Sequence, residues 1–181
     1  MDSIDINNLS NENILELLQI LSTPNPSPDQ LSLSQNILQK FIKIPQSINT
    51  FLYHLSSNPN PNIRQLSALM LYKSIEQNFD DLPEEKKDEI KKKVLELYSK
   101  EKVNLVLKSI GIAIYKICKK NLLEDKWDYV LDTVFTSPEK YIQGQEKLFE
   151  INLHIIADLV GSVNTLLKDK EKIGQIKKIL S

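Results

Sequence analysis

The chain has 181 residues, of which 41% are hydrophobic, and 23 basic against 24 acidic side chains give a formal net charge of -1. This length suits one domain, and the balanced charge argues against a nucleic-acid-binding surface. No apolar run approaches the roughly 18 residues of a membrane span, and the start MDSIDINNLS is too polar for a signal peptide. The single cysteine excludes an intrachain disulfide and favours a reducing compartment.

Helices are predicted along the whole chain, because the four glycines and eight prolines leave long segments with a 3.6-residue period. The first helix covers about 11–22, with Ser10 or Asn11 as its cap. The second begins at Pro28, is capped by Ser27 and continues to Ile44, before Pro45. A short third helix covers about 46–56.

The fourth helix, about 62–79, follows the turn of residues 58–61 and is apolar on two sides. A fifth covers about 83–99 and a sixth about 101–120, each with apolar residues at i, i+3, i+4 and i+7. A seventh helix over about 124–136, an eighth over about 141–161 and the start of a ninth over about 172–180 complete the prediction.

The helices recur in pairs with a period of about 40 residues, which is the spacing of HEAT-type repeats. The amphipathic first helices begin near 46, 84 and 124, and the more apolar second helices near 61, 102 and 142. We therefore predict an all-α fold: a right-handed HEAT-repeat solenoid of stacked antiparallel helix pairs. Residues 1–181 are predicted to form a single solenoid fragment, with about four pairs and the start of a fifth.

Each second helix is expected to line the concave layer, since one apolar side packs within its pair and the other against a neighbouring pair. The end of the chain lacks the polar outer face of a capping repeat. It is therefore expected to belong to a longer solenoid and to expose an apolar face around Ile173, Ile176 and Leu180.

Residues 48–79 resemble the importin-beta N-terminal domain. That family shows an apolar helix end, a turn and then a helix of the form xRQxAAxxLKNxI followed by an aromatic residue. Here Leu52 and Leu55 precede the turn, residues 63–75 read IRQLSALMLYKSI, and Phe79 follows. Residues 28–100 are the segment that is similar to this domain, and within the family the importin-four branch is the most similar.

The resemblance implies a nuclear transport receptor that moves between cytoplasm and nucleus and is not an enzyme. In this family the N-terminal repeats bind the GTPase Ran in its GTP state through the concave second helices. Cargo proteins and nucleoporins are expected to bind mostly through repeats that this chain lacks, and neither nucleic acid, membrane insertion nor a cofactor is implied. A generic HEAT or armadillo scaffold without GTPase specificity is the alternative.

Polar side chains on the second helices are the candidate contacts with the GTPase. All of them lie away from the main apolar stripes of their helices, and a plain solvated face is the alternative for each. They are Gln65, Tyr72, Lys73 and Glu76 on the fourth helix, Asn104 and Lys108 on the sixth, and Glu146, Glu150 and His154 on the eighth. Arg64 is expected to be structural, bonding turn carbonyls or Asn62, or pairing with an acidic residue of the neighbouring repeat.

Catalytic and metal sites are not expected. Only two histidines occur, whereas zinc usually takes three or four protein ligands, so the stripe that contains His154 is an unsuitable site. Cys118 lies on an apolar helix face and is predicted to be a buried small hydrophobe. Glycine-rich phosphate loops and the G-x-S-x-G motif are absent from the sequence.

Overall fold

The computed structural model describes residues 5–121 and the single residue Ala157. The chain divides into two compact units, Met1–Ala113 and Ile114–Ser181. The described residues contain helices and no strand, and none of these helices combines the length and the apolarity needed to cross a membrane. The predicted all-α class is therefore confirmed. Residues 5–121 form six α-helices in chain order: α1 Asn11–Ser22, α2 Pro28–Phe41, α3 Ser47–Ser57, α4 Pro61–Asn78, α5 Glu84–Lys100 and α6 Asn104–Asn121.

Side-chain caps and prolines set the starts of the first helices. Ser10 accepts a hydrogen bond from the backbone N–H of Asn13, whose side chain in turn accepts one from the Ser10 N–H, so α1 begins with a reciprocal capping box. Ser27 caps α2 in front of Pro28. Because proline has no N–H to satisfy, the first turn of a helix is where it fits best.

The first two helix pairs are packed side by side. Helix α1 packs against α2, and α3 packs against α4. Helix α4 also contacts α1, and α3 also contacts α5, so both members of the second pair touch a neighbouring element as well as each other. This explains why α4 is apolar on more than one side, and it is consistent with stacked HEAT-type pairs.

Aromatic residues fill the core between the pairs. Phe41 and Phe51 meet edge to face with ring centroids 5.8 Å apart, and both are fully buried. Small side chains on α4 allow its neighbours to approach closely, since Ser67, Ala68 and Ser74 are completely buried. The core of the first unit therefore combines large residues on α2 and α3 with a mixture of small and large residues on α4, where Ile63, Leu71 and Ile75 are also buried.

Two predicted helix bounds are wrong by three residues. Helix α2 ends at Phe41 rather than Ile44, because the Lys43 and Ile44 N–H groups turn back to carbonyls three residues earlier, ahead of Pro45, which disfavours helical conformation before it. Helix α6 begins at Asn104 rather than 101, because Glu101 is extended. The other bounds of the six helices agree to within one residue.

The predicted helices over about 124–136, 141–161 and 172–180 lie outside the described residues, apart from Ala157, which is helical. The predicted exposed face around Ile173, Ile176 and Leu180 also lies outside them. The hand of the solenoid and the single domain over residues 1–181 stay predictions.

Candidate functional site

The turn that leads into α4 is fixed by two asparagine side chains. Asn58 Oδ1 accepts the backbone N–H of Asn60 at 2.9 Å, and Asn60 Oδ1 accepts that of Asn62 at 2.9 Å. Each is a local Asx bond of the kind that favours turns and helix starts. With Pro61 as the first residue of α4, the chain enters this helix at a defined angle.

Arg64 connects this turn to the segment between α5 and α6. Its Nη1 donates to the carbonyls of Asn58 and Pro59 at 3.1 and 2.9 Å. Its Nε and Nη2 donate to Oε2 and Oε1 of Glu101 at 2.9 and 3.1 Å, which is a bidentate pair. Both interactions considered from the sequence, with turn carbonyls and with an acidic residue of the next repeat, are therefore present, whereas Asn62 is not a hydrogen-bond partner of Arg64 in the described part of the chain.

Glu101 is the residue that the sequence interpretation missed. Its Oε1 also accepts the backbone N–H groups of Lys102 and Val103, both at 2.9 Å, just before α6 begins. Burial opposes its ionisation, but the hydrogen bonds from Arg64, Val103 and Lys102 outweigh that effect and lower the pKa of Glu101. In the sequence, Glu101 is an acidic residue three positions before α6, but the predicted sixth helix included it.

The polar edge predicted on α4 consists of Gln65, Tyr72, Lys73 and Glu76. Gln65 and Tyr72 are half-buried, whereas Lys73 and Glu76 are exposed. At about 100° per residue, Gln65, Tyr72 and Glu76 lie within roughly 40° of one another, and Lys73 lies about 60–100° away from them. The edge is thus divided: three side chains share one direction, and Lys73 points towards another part of the helix surface.

Helix α6 presents the next predicted residues. Asn104 is its first residue, and both Asn104 and Lys108 are exposed, as are the large apolar side chains of Leu105 and Ile112. This side of α6 is therefore a mixture of basic, amide and apolar groups. Glu146, Glu150 and His154 lie outside the described residues.

Neither a metal centre nor a reactive thiol is found in the described part of the chain. Residues 5–121 contain no group of three or more His, Cys, Asp or Glu side chains arranged to hold a metal ion. Burial raises the pKa of the Cys118 thiol to about 12, so this thiol stays protonated at neutral pH and is a poor nucleophile. His54 is buried, and its Nε2 lies 3.0 Å from the carbonyl oxygen of Asn11, so it ties α3 to the start of α1.

Residues 34–100 match the model of the importin-beta N-terminal domain, a segment that includes α3, α4, α5 and Arg64 and ends one residue before Glu101. This match agrees with the predicted resemblance to the importin-beta N-terminal domain. That family is one of transport receptors, not of enzymes.

The chain is also 25% identical over 157 residues to a curated protein described as "Probable importin subunit beta-4" from Schizosaccharomyces pombe (strain 972 / ATCC 24843). The alignment covers 86% of this chain and 15% of that protein, so the chain spans only a small part of the length of the relative it matches. This agrees with the predicted resemblance to the importin-four branch. No solved structure matches the chain.

Proposed function

We propose that the chain is an N-terminal part of a nuclear transport receptor and that it binds a Ran-type GTPase in its GTP form. The observation that carries the proposal is the importin-beta N-terminal domain over residues 34–100, which contains the α4 motif with Lys73 on its exposed side. The receptor would move between cytoplasm and nucleus, and its cargo and nucleoporin sites would lie mostly in other repeats of a longer receptor.

The proposed contact surface consists of the exposed sides of α4 and α6. Gln65, Tyr72, Lys73 and Glu76 offer hydrogen-bonding and charged groups on α4. Asn104 and Lys108 offer the same chemistry on α6. Glu146, Glu150 and His154 lie outside the described residues and stay candidate contacts from the sequence. Mixed charges on such a surface set the association rate and the specificity more than the affinity, so the salt dependence of binding should be appreciable.

The test compares binding of the 181-residue chain to Ran loaded with a non-hydrolysable GTP analogue and to Ran loaded with GDP, by biolayer interferometry. Binding to the GTP form alone is the expected result. Lys73→Glu and Lys108→Glu reverse one exposed charge on each helix and should weaken this binding. Lys92→Glu is the matched control, since Lys92 is exposed on α5, outside the proposed surface.

Equal binding to both nucleotide forms would contradict the proposal and leave the alternative of a HEAT or armadillo scaffold without GTPase specificity. The same conclusion would follow if Lys73→Glu and Lys108→Glu bound as well as Lys92→Glu. Circular dichroism of all variants shows whether a loss of binding comes from a loss of folding.

A further inference from the structure

An apolar groove lies between α2 and α4, and of the proposed GTPase contacts only Lys73 lines it. Both helices pack against α1, but a space of about 410 Å³ stays open between them. Leu38 and Ile42 line it from α2, Leu66 and Met70 from α4, and Leu21 from α1. Leu66 and Met70 are only half-buried, although both are large apolar residues. We name this feature the α2–α4 groove.

The rim of the groove is polar and carries positive charge only. Gln35, Gln39 and Lys73 are the polar residues of its lining, and all three side chains are exposed. Lys43 follows Ile42 at the C-terminal end of α2 and is exposed as well. Among residues 5–121, neither lysine forms an ion pair.

Carboxylates are absent from this whole part of the sequence. No Asp or Glu occurs between Asp29 and Glu76, a stretch that holds Lys40, Lys43, Arg64 and Lys73. Arg64 is paired with Glu101, whereas Lys40, Lys43 and Lys73 form no ion pair within the described residues. The surface around the groove therefore attracts acidic partners and repels basic ones.

The groove is also distinct from the polar edge. On α4, Leu66 and Met70 lie about 80–160° around the helix axis from Gln65, Tyr72 and Glu76, and only Lys73 borders both surfaces. A partner could therefore occupy the groove without contact to most of the proposed GTPase surface.

From this arrangement we infer that the α2–α4 groove binds a short, acidic, amphipathic helix of a partner protein. The lining extends from Leu31 in α2 to Ile42, which directly follows α2; at 1.5 Å per residue this is about 16 Å, or three turns of helix. Apolar side chains at i, i+4 and i+7 of the partner would enter the groove, and its flanking Glu or Asp residues would meet Lys73 and Lys43. A small molecule is a poorer fit, because the lining offers few convergent polar groups.

The test uses a fluorescein-labelled synthetic helix of about 14 residues with leucine at i, i+4, i+7 and i+11 and glutamate on its flanks. A twin peptide with lysine in place of each glutamate is the charge control. Fluorescence anisotropy with the 181-residue chain should show binding of the acidic peptide that weakens with added salt, and weaker or no binding of its basic twin.

Two kinds of variant locate the binding. Met70→Glu places a charge in the groove wall and should raise the Kd of the acidic peptide at least about tenfold. Its matched control is Leu69→Glu, since Leu69 is half-buried on the same helix but does not line the groove, and it should leave the Kd unchanged. Gln39→Glu changes only an exposed rim residue and should weaken the acidic peptide and favour the basic one without affecting folding.

Several results would overturn the inference: no binding of the acidic peptide, equal binding of both peptides, or equal effects of Met70→Glu and Leu69→Glu. A concentration-dependent dimer in light scattering that Met70→Glu abolishes would show instead that a second copy occupies the groove. Ran binding is measured on the same variants. Because Met70→Glu and Gln39→Glu should leave it intact, failure of either proposal can be distinguished from failure of the other.

Discussion

Removal of the Arg64 guanidinium is expected to destabilise the chain substantially. Arg64 and Glu101 are 17% and 8% exposed, and a buried ion pair that loses one partner costs about 3–5 kcal/mol. In Arg64→Ala, Glu101 would keep its bonds from Lys102 and Val103, and the carbonyls of the preceding turn would regain water. We therefore expect a loss of about 2–4 kcal/mol, which lowers Tm by roughly 5–15 °C for a chain of this size.

Urea unfolding followed by circular dichroism measures this loss, and a double-mutant cycle with Glu101→Gln isolates the pair. The coupling energy should be about 1–3 kcal/mol. Lys100→Ala is the matched control: its partner Glu96 is exposed, as is Lys100 itself, so the midpoint should not change. An Arg64→Ala midpoint equal to that of Lys100→Ala, or a coupling energy of zero, would refute the assigned role of Arg64.

The same pair predicts a dependence on pH. The folded-state pKa of Glu101 lies below its ordinary value of 4.5, so the ionised form is favoured in the folded chain. Its contribution is complete above about pH 4.5 and is lost as the pH falls through the lower folded-state value. Arg64→Ala should therefore flatten the acid side of the stability curve, and a curve with the wild-type slope would contradict this assignment.

Three further predictions concern buried polar groups of the first unit. Burial lowers the pKa of His54 below 6.5, so the unfolded chain binds more protons, and stability should fall as the pH drops below about 6.5. The His54→Gln side chain can still donate to the Asn11 carbonyl, so this variant should remove that pH dependence of the urea midpoint. Ser74 is fully buried, and its hydroxyl has no hydrogen-bond partner in the described structure, so Ser74→Ala should stabilise the chain by about 0.5–2 kcal/mol in the same assay. Asn78 Nδ2 donates to the carbonyls of Ile42 and Ser74 at 2.7 and 2.9 Å, and Asn78→Ala should lower Tm because it costs about 1–3 kcal/mol; an unchanged Tm would contradict a role for these bonds.

The helices of the first unit could be predicted because their signals are local. Ser10, Ser27 and Pro61 stand at helix starts, where a side-chain acceptor or a missing N–H is favoured, and the structure places helix starts there. The end of α2 was less predictable, since Ile44 continues the apolar pattern after the helical hydrogen bonds have changed to turns at Lys43. Periodicity reports which side chains are apolar, but not where the backbone leaves the helix.

The contacts of the candidate site depend on residues far apart in the sequence. Arg64 and Glu101 are 37 positions apart, and nothing in the spacing distinguishes Glu101 from the other acidic residues of α5 and its flanks. The α2–α4 groove could not be predicted for a related reason. Leu66 and Met70 have the same pattern as buried residues, and only the distance between α2 and α4 leaves them partly open.

Arg64 and the polar edge of α4 are linked by the helix they share. Arg64 fixes the first turn of α4 to the turn before it and to the start of α6, while Gln65 is the next residue along the helix. Any partner that contacts α4 and α6 together therefore meets two helices whose starts are joined through one guanidinium. A rigid scaffold of this kind reduces the ordering needed on binding, so loss of Arg64 should weaken such a partner even where Arg64 itself makes no contact with it.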